Sequence, residues 1–370
     1  MANVLVAGVG MHPTGRFPDK SYRDIAAVAA VAAVEDAGLS WEQIGVMFAS
    51  HTRQGISAGQ QVAHDLGLAG IPVVNVENAC ASGTTAIHEA ATWIEAGRVD
   101  VALVVGFEKM PKGVISGLGE AGSYEDRMGL NVMPSLYGFM AQKHMHRYGT
   151  TARQMALVSV KNHQNGVLNP YAQYRKVVTV EEVLHSRLVA DPLTLLQCCP
   201  TSDGAAAVLL INESTVSLPN PRRAVWWAGS AVGTMCFDSD ESEVSRRTAY
   251  AAYEAAAIGP EDIELVECHD AFTIGEILHY EELGLCPEGE GGRFIEEGHT
   301  WLNGKVPVNP SGGLQSRGHP LGMTGVAQVY EAVVQMRGEA GDRQVPHWPK
   351  TAVTHTQGYA GVSAVGVLHR

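Results

Sequence analysis

The stretch Val73-Val74-Asn75-Val76-Glu77-Asn78-Ala79-Cys80-Ala81-Ser82-Gly83-Thr84-Thr85-Ala86 runs from β-branched residues, through a cysteine flanked by small ones, toward a helical pattern. That pattern, Ile87-His88-Glu89-Ala90-Ala91-Thr92-Trp93-Ile94-Glu95-Ala96, ends at Gly97. Cys80 therefore falls on a strand-to-helix turn, where unpaired backbone N–H groups and the positive end of the helix dipole favour a thiolate. Free cysteine is also among the most buried residue types, so plain packing fits the same turn. The rest of the chain decides between the two.

Working outward, the same unit is used twice. Residues 4–10 read as a strand, Tyr22 to Ala37 as an Ala-rich helix stopped by Gly38, and Gly45 to Ala49 as the next strand. In the second half, Ala224 to Gly229 matches the opening strand, with a helix near Glu243 to Ala257 and a strand over Glu264 to Cys268. Ala81 to Ala86 opens the helix after Cys80, and Leu321 to Ala327 opens one after His319; closing strands follow at Asp100 to Phe107 and Ala352 to Leu368. Two similar α/β units packed face to face bring equivalent helix starts to one cleft, so Cys80 and His319 are predicted to meet.

The run Asn309-Pro310-Ser311-Gly312-Gly313-Leu314-Gln315-Ser316-Arg317-Gly318-His319-Pro320-Leu321-Gly322-Met323-Thr324-Gly325 supports this. Glycine clusters on both sides of a His-Pro step let the backbone pass close to another group and fix the imidazole at a helix start. A cysteine opposite such a histidine is what thiol catalysis requires. Between the halves, residues 111 to 190 break the repeat and read as an inserted cap, with a helix near Leu136 to Tyr148. Its His144, His146, Arg147, Lys161, His163, Arg175 and Lys176 suit either an anionic ligand tail or a solvated face. The predicted organisation is thus 1–110 with 191–220, the insertion 111–190, and 221–370.

The totals narrow the function classes. A formal charge of −13 without a long basic run argues against nucleic acid as a partner. The six cysteines (80, 198, 199, 236, 268 and 286) have no metal-ligand spacing, so no metal is expected, and their usage suits a reducing, cytoplasmic setting. The segment Val4 to Gly10 lacks the features of a signal peptide, and no apolar run reaches the ~18 residues of a membrane span. Cys268 is assigned to the core because neighbouring strand residues face opposite sides, and Cys198 and Cys199 are assigned to packing. His88, His144, His163 and His279 are read as structural or surface residues, Asp203 and Asp270 as holders of turns, and Asn309 as orienting either the cleft loop or a catalytic water.

The chain resembles the thiolase superfamily, within it the sterol-carrier-protein X type of thiolase and its archaeal and bacterial relatives. The resemblance rests on Asn78-Ala79-Cys80-Ala81-Ser82-Gly83, Gly106-Phe107-Glu108-Lys109-Met110, Leu195 to Ala206, His269-Asp270-Ala271-Phe272, Gly318-His319-Pro320 and His355-Thr356-Gln357-Gly358, in family order over nearly the whole length. It implies a duplicated five-layered α/β/α/β/α thiolase fold, an inserted loop domain that helps bind coenzyme A, and at least a homodimer. It implies coenzyme A as co-substrate with no covalently bound cofactor, and, for relatives lacking a second cysteine, a small zinc-ribbon/OB-fold partner that receives the acyl-CoA. Carried over by residue, Cys80 is the acyl-accepting nucleophile, His319 its base, His269 the group near one oxyanion hole, and Gly358 with Cys80 the backbone donors of the other.

One departure matters. The second cysteine of such thiolases is absent at both usual places, where this chain has Ala271 and His355. His355, whose ordinary pKa suits proton transfer at neutral pH, is the first candidate to replace it, and Tyr359 the second. The expected activity is thiolytic cleavage of a 3-oxoacyl-CoA, or the reverse condensation, through an acyl-Cys80 intermediate. A retro-aldolase acting on a 3-hydroxyacyl-CoA through Tyr359, and a non-catalytic acyl-CoA-binding subunit, are the alternatives.

Overall fold

The computed structural model describes residues 4–113, 122–129, 131–236 and 241–370; the parts of the predicted insertion at 114–121 and 130 lie outside them. The first half contains β1 (Val4–Gly15), α1 (Tyr22–Ala37), β2 (Val46–Ser50), α2 (Ala58–Asp65), β3 (Val73–Val76), α3 (Ser82–Glu95) and β4 (Val101–Glu108). Next come α4 (Tyr124–Arg127), α5 (Met133–Tyr148), α6 (Ala152–Leu168), α7 (Val180–His185) and the short pair β5 (Leu188–Ala190) and β6 (Leu193–Thr194). Then come β7 (Asp203–Asn212), β8 (Trp226–Thr234), α8 (Glu241–Ala256), β9 (Leu265–Glu267), α9 (Thr273–Glu282), α10 (Gly291–Glu296), α11 (Gly313–Ser316), α12 (Thr324–Arg337), β10 (Thr351–Gly358) and β11 (Val362–His369).

The duplication is visible in the pairing. One half-sheet has the order β3-β2-β4-β7-β1 and the other β8-β11-β10-β9, joined edge to edge where Leu5 pairs with Trp226. In each, the strand after the first helix runs parallel to a strand that is itself antiparallel to the half's last strand: β2 beside β4 and then β7, β9 beside β10 and then β11. A lone parallel bridge from Val266 to Val308 stands where the first half has its β2–β3 pairing. The predicted closing strand from Ala352 to Leu368 is in fact the hairpin β10–β11, turned at Gly361 with φ +72°.

Close helix packing uses glycine the same way in both halves. Ser21 and Asp24 form a capping box at the start of α1, whose Ala26, Ala29, Ala30 and Ala33 are buried. A Cβ on Gly8 would lie 2.7 Å from the Ala37 amide, and a Cβ on Gly229 would lie 2.7 Å from the Ala256 amide of α8. Helices α3 and α12 lie against each other and against strands of both half-sheets, while α1 covers one outer face and α8 the other. Five layers result, and no helix among the described residues is long and apolar enough to cross a membrane.

Helices α5 and α6 and strand β6 share a buried core with residues of the second half. Tyr137, Ala141, Met155, Val158 and Leu193 belong to the same buried cluster as Phe272, Ile274 and Ile277. Part of the predicted basic face is internal: Lys161 is fully buried and pairs with Glu276 at 2.7 Å, and His144 bonds Thr150 and Glu281. Arg147, Arg175 and Lys176 remain exposed.

Candidate active site

Two helix starts touch at glycine. A Cβ on Gly83 of α3 would lie 2.9 Å from the amide of Gly325 in α12, and a Cβ on Gly325 would collide with the Thr84 amide. Cys80 and His319 precede these starts and are thereby carried to one cavity of about 480 Å³, which both of them line. The reactive atoms of Cys80, His319 and His269 all lie within 4.8 Å of one another. The predicted encounter of sulfur and imidazole is thus what the structure has.

The Cys80 turn is held by its neighbours. Ala79 adopts φ +49°, a left-handed conformation that is costly for a residue with a Cβ. The Ser82 hydroxyl accepts from the Asn78 amide at 2.9 Å and donates to the Ala79 carbonyl at 2.6 Å, which locks that conformation. The thiol does not, however, behave as the helix dipole alone predicts. Enclosure by protein, then Glu108, then Glu77 push it up to about 12, so it is a neutral thiol at neutral pH.

His319 is fixed from both sides. Its amide donates to Ser202 Oγ at 3.1 Å, and the following turn is held by Glu108, which accepts from the Gly322 amide at 3.0 Å. Its Nδ1 lies 2.8 Å from Thr324 Oγ1, and that hydroxyl sits 3.0 Å from the Pro320 carbonyl, which can only accept. The hydroxyl proton is committed to the carbonyl, so Nδ1 carries the ring proton and Nε2 has a bare lone pair. Burial, aided by Arg317, lowers the imidazole to about 3. Cys80 and His319 therefore form a neutral pair, with a base ready for the thiol proton.

His269 stands beside them, its ring centroid 5.1 Å from that of His319. Both of its ring nitrogens are buried without a hydrogen-bond partner among the described residues. Burial first, then His319, His279 and His355, hold it well below the ordinary histidine range. Gly358 and Tyr359 line the same cavity, and a Cβ on Gly358 would strike the Asn78 carbonyl, so only glycine brings that backbone to the cysteine turn.

His355 is the exception. On β10, Thr356 bonds Thr84 of α3, whereas His355, one residue earlier, faces the other way and meets Ser245 Oγ of α8 at 3.1 Å. His355 is not among the residues that line the Cys80 cavity, and its ring is held toward α8, so the proton role read for it there is not supported. Conversely, Cys198 and Cys199, read as packing residues, line the cavity. The Cys199 amide donates to the Ala271 carbonyl at 2.8 Å, beside the position where the usual second cysteine is missing.

Asp270 and Asn309, read from the sequence as holders of a turn and of the cleft loop, sit in a buried polar network beneath His269, whose further members Asn162 and Glu276 sequence reasoning missed. Asn309, at φ +55°, accepts from the Cys268 amide at 2.9 Å and donates to Glu276 at 2.7 Å. Asp270 accepts from the Leu314 and Gln315 amides and from Asn162. These links tie the His269 loop to the His319 loop. The partners lie on four separate segments, so no local pattern announces them.

The walls beyond are mainly apolar, with Met110, Met133, Leu136, Met140 and Phe272, while Arg187 and Lys112 add positive charge. Comparison with known proteins agrees with the geometry. Residues 4–214 match the thiolase N-terminal domain, and residues 235–370 match the family described as thiolase C-terminal domain-like. The chain is 41% identical to an acetyl-CoA acetyltransferase of Methanothermobacter thermautotrophicus, covering 100% of both. It is 39% identical to sterol carrier protein 2 of Bos taurus over 98% of this chain and 71% of that one. The Ltp2-ChsH2(DUF35) aldolase has a similar fold, with TM-score 0.86 at 24% identity, covering 100% of this chain and 98% of that one.

Proposed function

The chain belongs to the thiolase family, and from that premise we propose that it is an acyl-CoA acyltransferase that cleaves a 3-oxoacyl-CoA through an acyl group carried on Cys80. The observation that carries the reading is the bare Nε2 of His319 in the cavity of Cys80. His319 Nε2 takes the thiol proton as Cys80 sulfur attacks the 3-keto carbon, the C2–C3 bond breaks, and the enolate of a shorter acyl-CoA leaves. Backbone N–H groups of Cys80 and Gly358 stabilise the oxyanion, each such donor being worth on the order of 10² to 10³ in rate. Free coenzyme A then takes the acyl group and Cys80 recovers its proton. Condensation is the same path reversed.

Arg187 and Lys112 at the cavity suit the phosphates of coenzyme A, acting locally against the net negative charge. The apolar walls suit a bulky or extended acyl group. A homodimer in a cytoplasmic setting, with a small zinc-ribbon/OB-fold partner for acyl-CoA delivery, completes the reading; the partner is supported by the DUF35 subunit in the similar aldolase complex.

The deciding experiment is intact-mass detection of an acyl adduct after mixing with 3-oxoacyl-CoA substrates, with Cys80→Ala as control. Turnover retained by that variant removes the idea. A second reading, retro-aldol cleavage of a 3-hydroxyacyl-CoA, is favoured by Tyr359 at the cavity and by the aldolase likeness. It requires no adduct on Cys80 and heavy loss in Tyr359→Phe.

A further inference from the structure

Four buried imidazoles form a file that the mechanism above uses only at one end. Ring centroids are 5.1 Å apart from His319 to His269, 6.4 Å from His269 to His279, and 4.3 Å from His279 to His355. Among the described residues, His269 has both nitrogens unpartnered, and His279 has Nε2 unpartnered. Buried polar atoms rarely go unpaired without a reason, since each costs on the order of 1–3 kcal/mol.

His279 differs from the others in having an acid. Its Nδ1 lies 2.6 Å from Glu282 Oε2, and both side chains are buried. Glu282 lines a second cavity of about 340 Å³, which shares Leu136, Tyr137, Met140 and Gln357 with the wall of the first. The file therefore links the Cys80 cavity to a separate cavity through an imidazole–carboxylate pair.

Chemistry supplies the need. The departing enolate must gain a proton at C2, and coenzyme A must later lose one, yet Ala271 has no proton to give and His355 faces away. We propose that the His279–Glu282 pair is a proton reservoir for the Cys80 cavity, exchanging protons with the reacting groups through His269. This rests on the acyl-Cys80 reading.

The protons balance over the cycle. In the first half, the Cys80 proton passes to His319, while the His279–Glu282 pair gives up one proton from His279 Nε2 to one nitrogen of His269 and the other nitrogen of His269 releases a proton to C2. In the second half, the coenzyme A thiol returns a proton to His279 through His269, and His319 restores the Cys80 thiol as the acyl group leaves. Glu282, 2.6 Å from His279 Nδ1, shares the proton held by the pair between the two steps. The 6.4 Å between His269 and His279 is a separation that one water or a ring rotation spans.

The test is exchange of the methyl protons of acetyl-CoA with D2O, read by mass spectrometry, in the parent, His279→Gln, Glu282→Gln and Glu282→Asp. Iodoacetamide labelling of Cys80 and thermal melting run alongside. The expected result is at least a tenfold loss of exchange in His279→Gln and Glu282→Gln, partial recovery in Glu282→Asp, and Cys80 labelling within twofold of the parent throughout. Because a structural defect in one variant would appear in its melting curve, the Glu282 pair carries the test if His279→Gln misfolds. Exchange at the parent's rate in a folded variant, or no exchange in a parent that acylates Cys80, overturns the reservoir. A parent that never acylates Cys80 overturns the reading beneath it, and the reservoir with it.

Discussion

Thr324 Oγ1 sits 2.8 Å from His319 Nδ1 and gives its own proton to Pro320, so a threonine one helical turn away decides which nitrogen of His319 faces Cys80. Replacing it with valine keeps the shape and removes the acceptor, freeing the ring to take the wrong tautomer. Thr324→Val should lower kcat by about tenfold to a hundredfold with KM little changed, and Thr324→Ser should restore most of it. Steady-state kinetics on the three proteins checks this. A parent-like kcat in Thr324→Val would mean the hydroxyl does not set the tautomer.

Because Cys80 and His319 are both neutral, alkylation of the free enzyme should lack the plateau of a thiolate–imidazolium pair. With the thiol at about 12, the iodoacetamide rate should climb about tenfold per pH unit from 7 to 9. A flat profile over that range would show a preformed thiolate.

The same neutrality sets the acid side of stability. His319 is lowered to about 3, and burial likewise lowers His269 and His355. Below about pH 6.5 the unfolded chain binds protons that the folded rings refuse, so stability falls as pH drops toward the folded values. Each ring contributes a slope approaching 1.4 kcal/mol per pH unit. Urea midpoints between pH 7 and 5 should fall steeply in the parent and less steeply in His319→Asn. Equal slopes would count against a neutral, desolvated His319.

Gly83 tests the contact between the two helix starts. The Cβ of alanine would come within 2.9 Å of backbone amides at Gly325 and Val326, which cannot move as a flexible side chain does. Gly83→Ala should cost about 1–3 kcal/mol, as overpacking generally does, and separate Cys80 from His319. A drop in melting temperature with a larger proportional loss of kcat is the expected pair of readouts.

How much of this is legible in the chain follows from the range of each interaction. Helix α1 falls at Tyr22–Ala37, as read from its alanine run and Gly38, because cap, stripe and stop are all local. The pairing of Cys80 with His319 is long-range, yet the internal repeat makes it readable, since equivalent positions of duplicated halves meet. His355 misleads because a motif gives its place along β10 but not which neighbour its ring meets, here Ser245 of α8. Cys199, Glu276 and the His279–Glu282 pair are beyond such reading, for they matter through partners that only the folded arrangement supplies.

Lys161 carries the last prediction. Its ammonium is fully buried, 2.7 Å from Glu276 Oε1 and 2.5 Å from the Val308 carbonyl, while Glu276 also holds Asn162, Tyr280 and Asn309. Lys161→Met keeps the volume but strands a buried carboxylate, a change that commonly costs about 3–5 kcal/mol. Without its cation Glu276 would hold Asn309 less firmly, and Asn309 positions the Cys268 amide next to His269. The expected outcome is therefore twofold: a large fall in the urea midpoint, and lower kcat from a loosened His269. Adding Glu276→Gln should recover part of the stability, since the carboxamide keeps an acceptor without the charge. If Lys161→Met is as stable as the parent, the ion pair is not what anchors this loop.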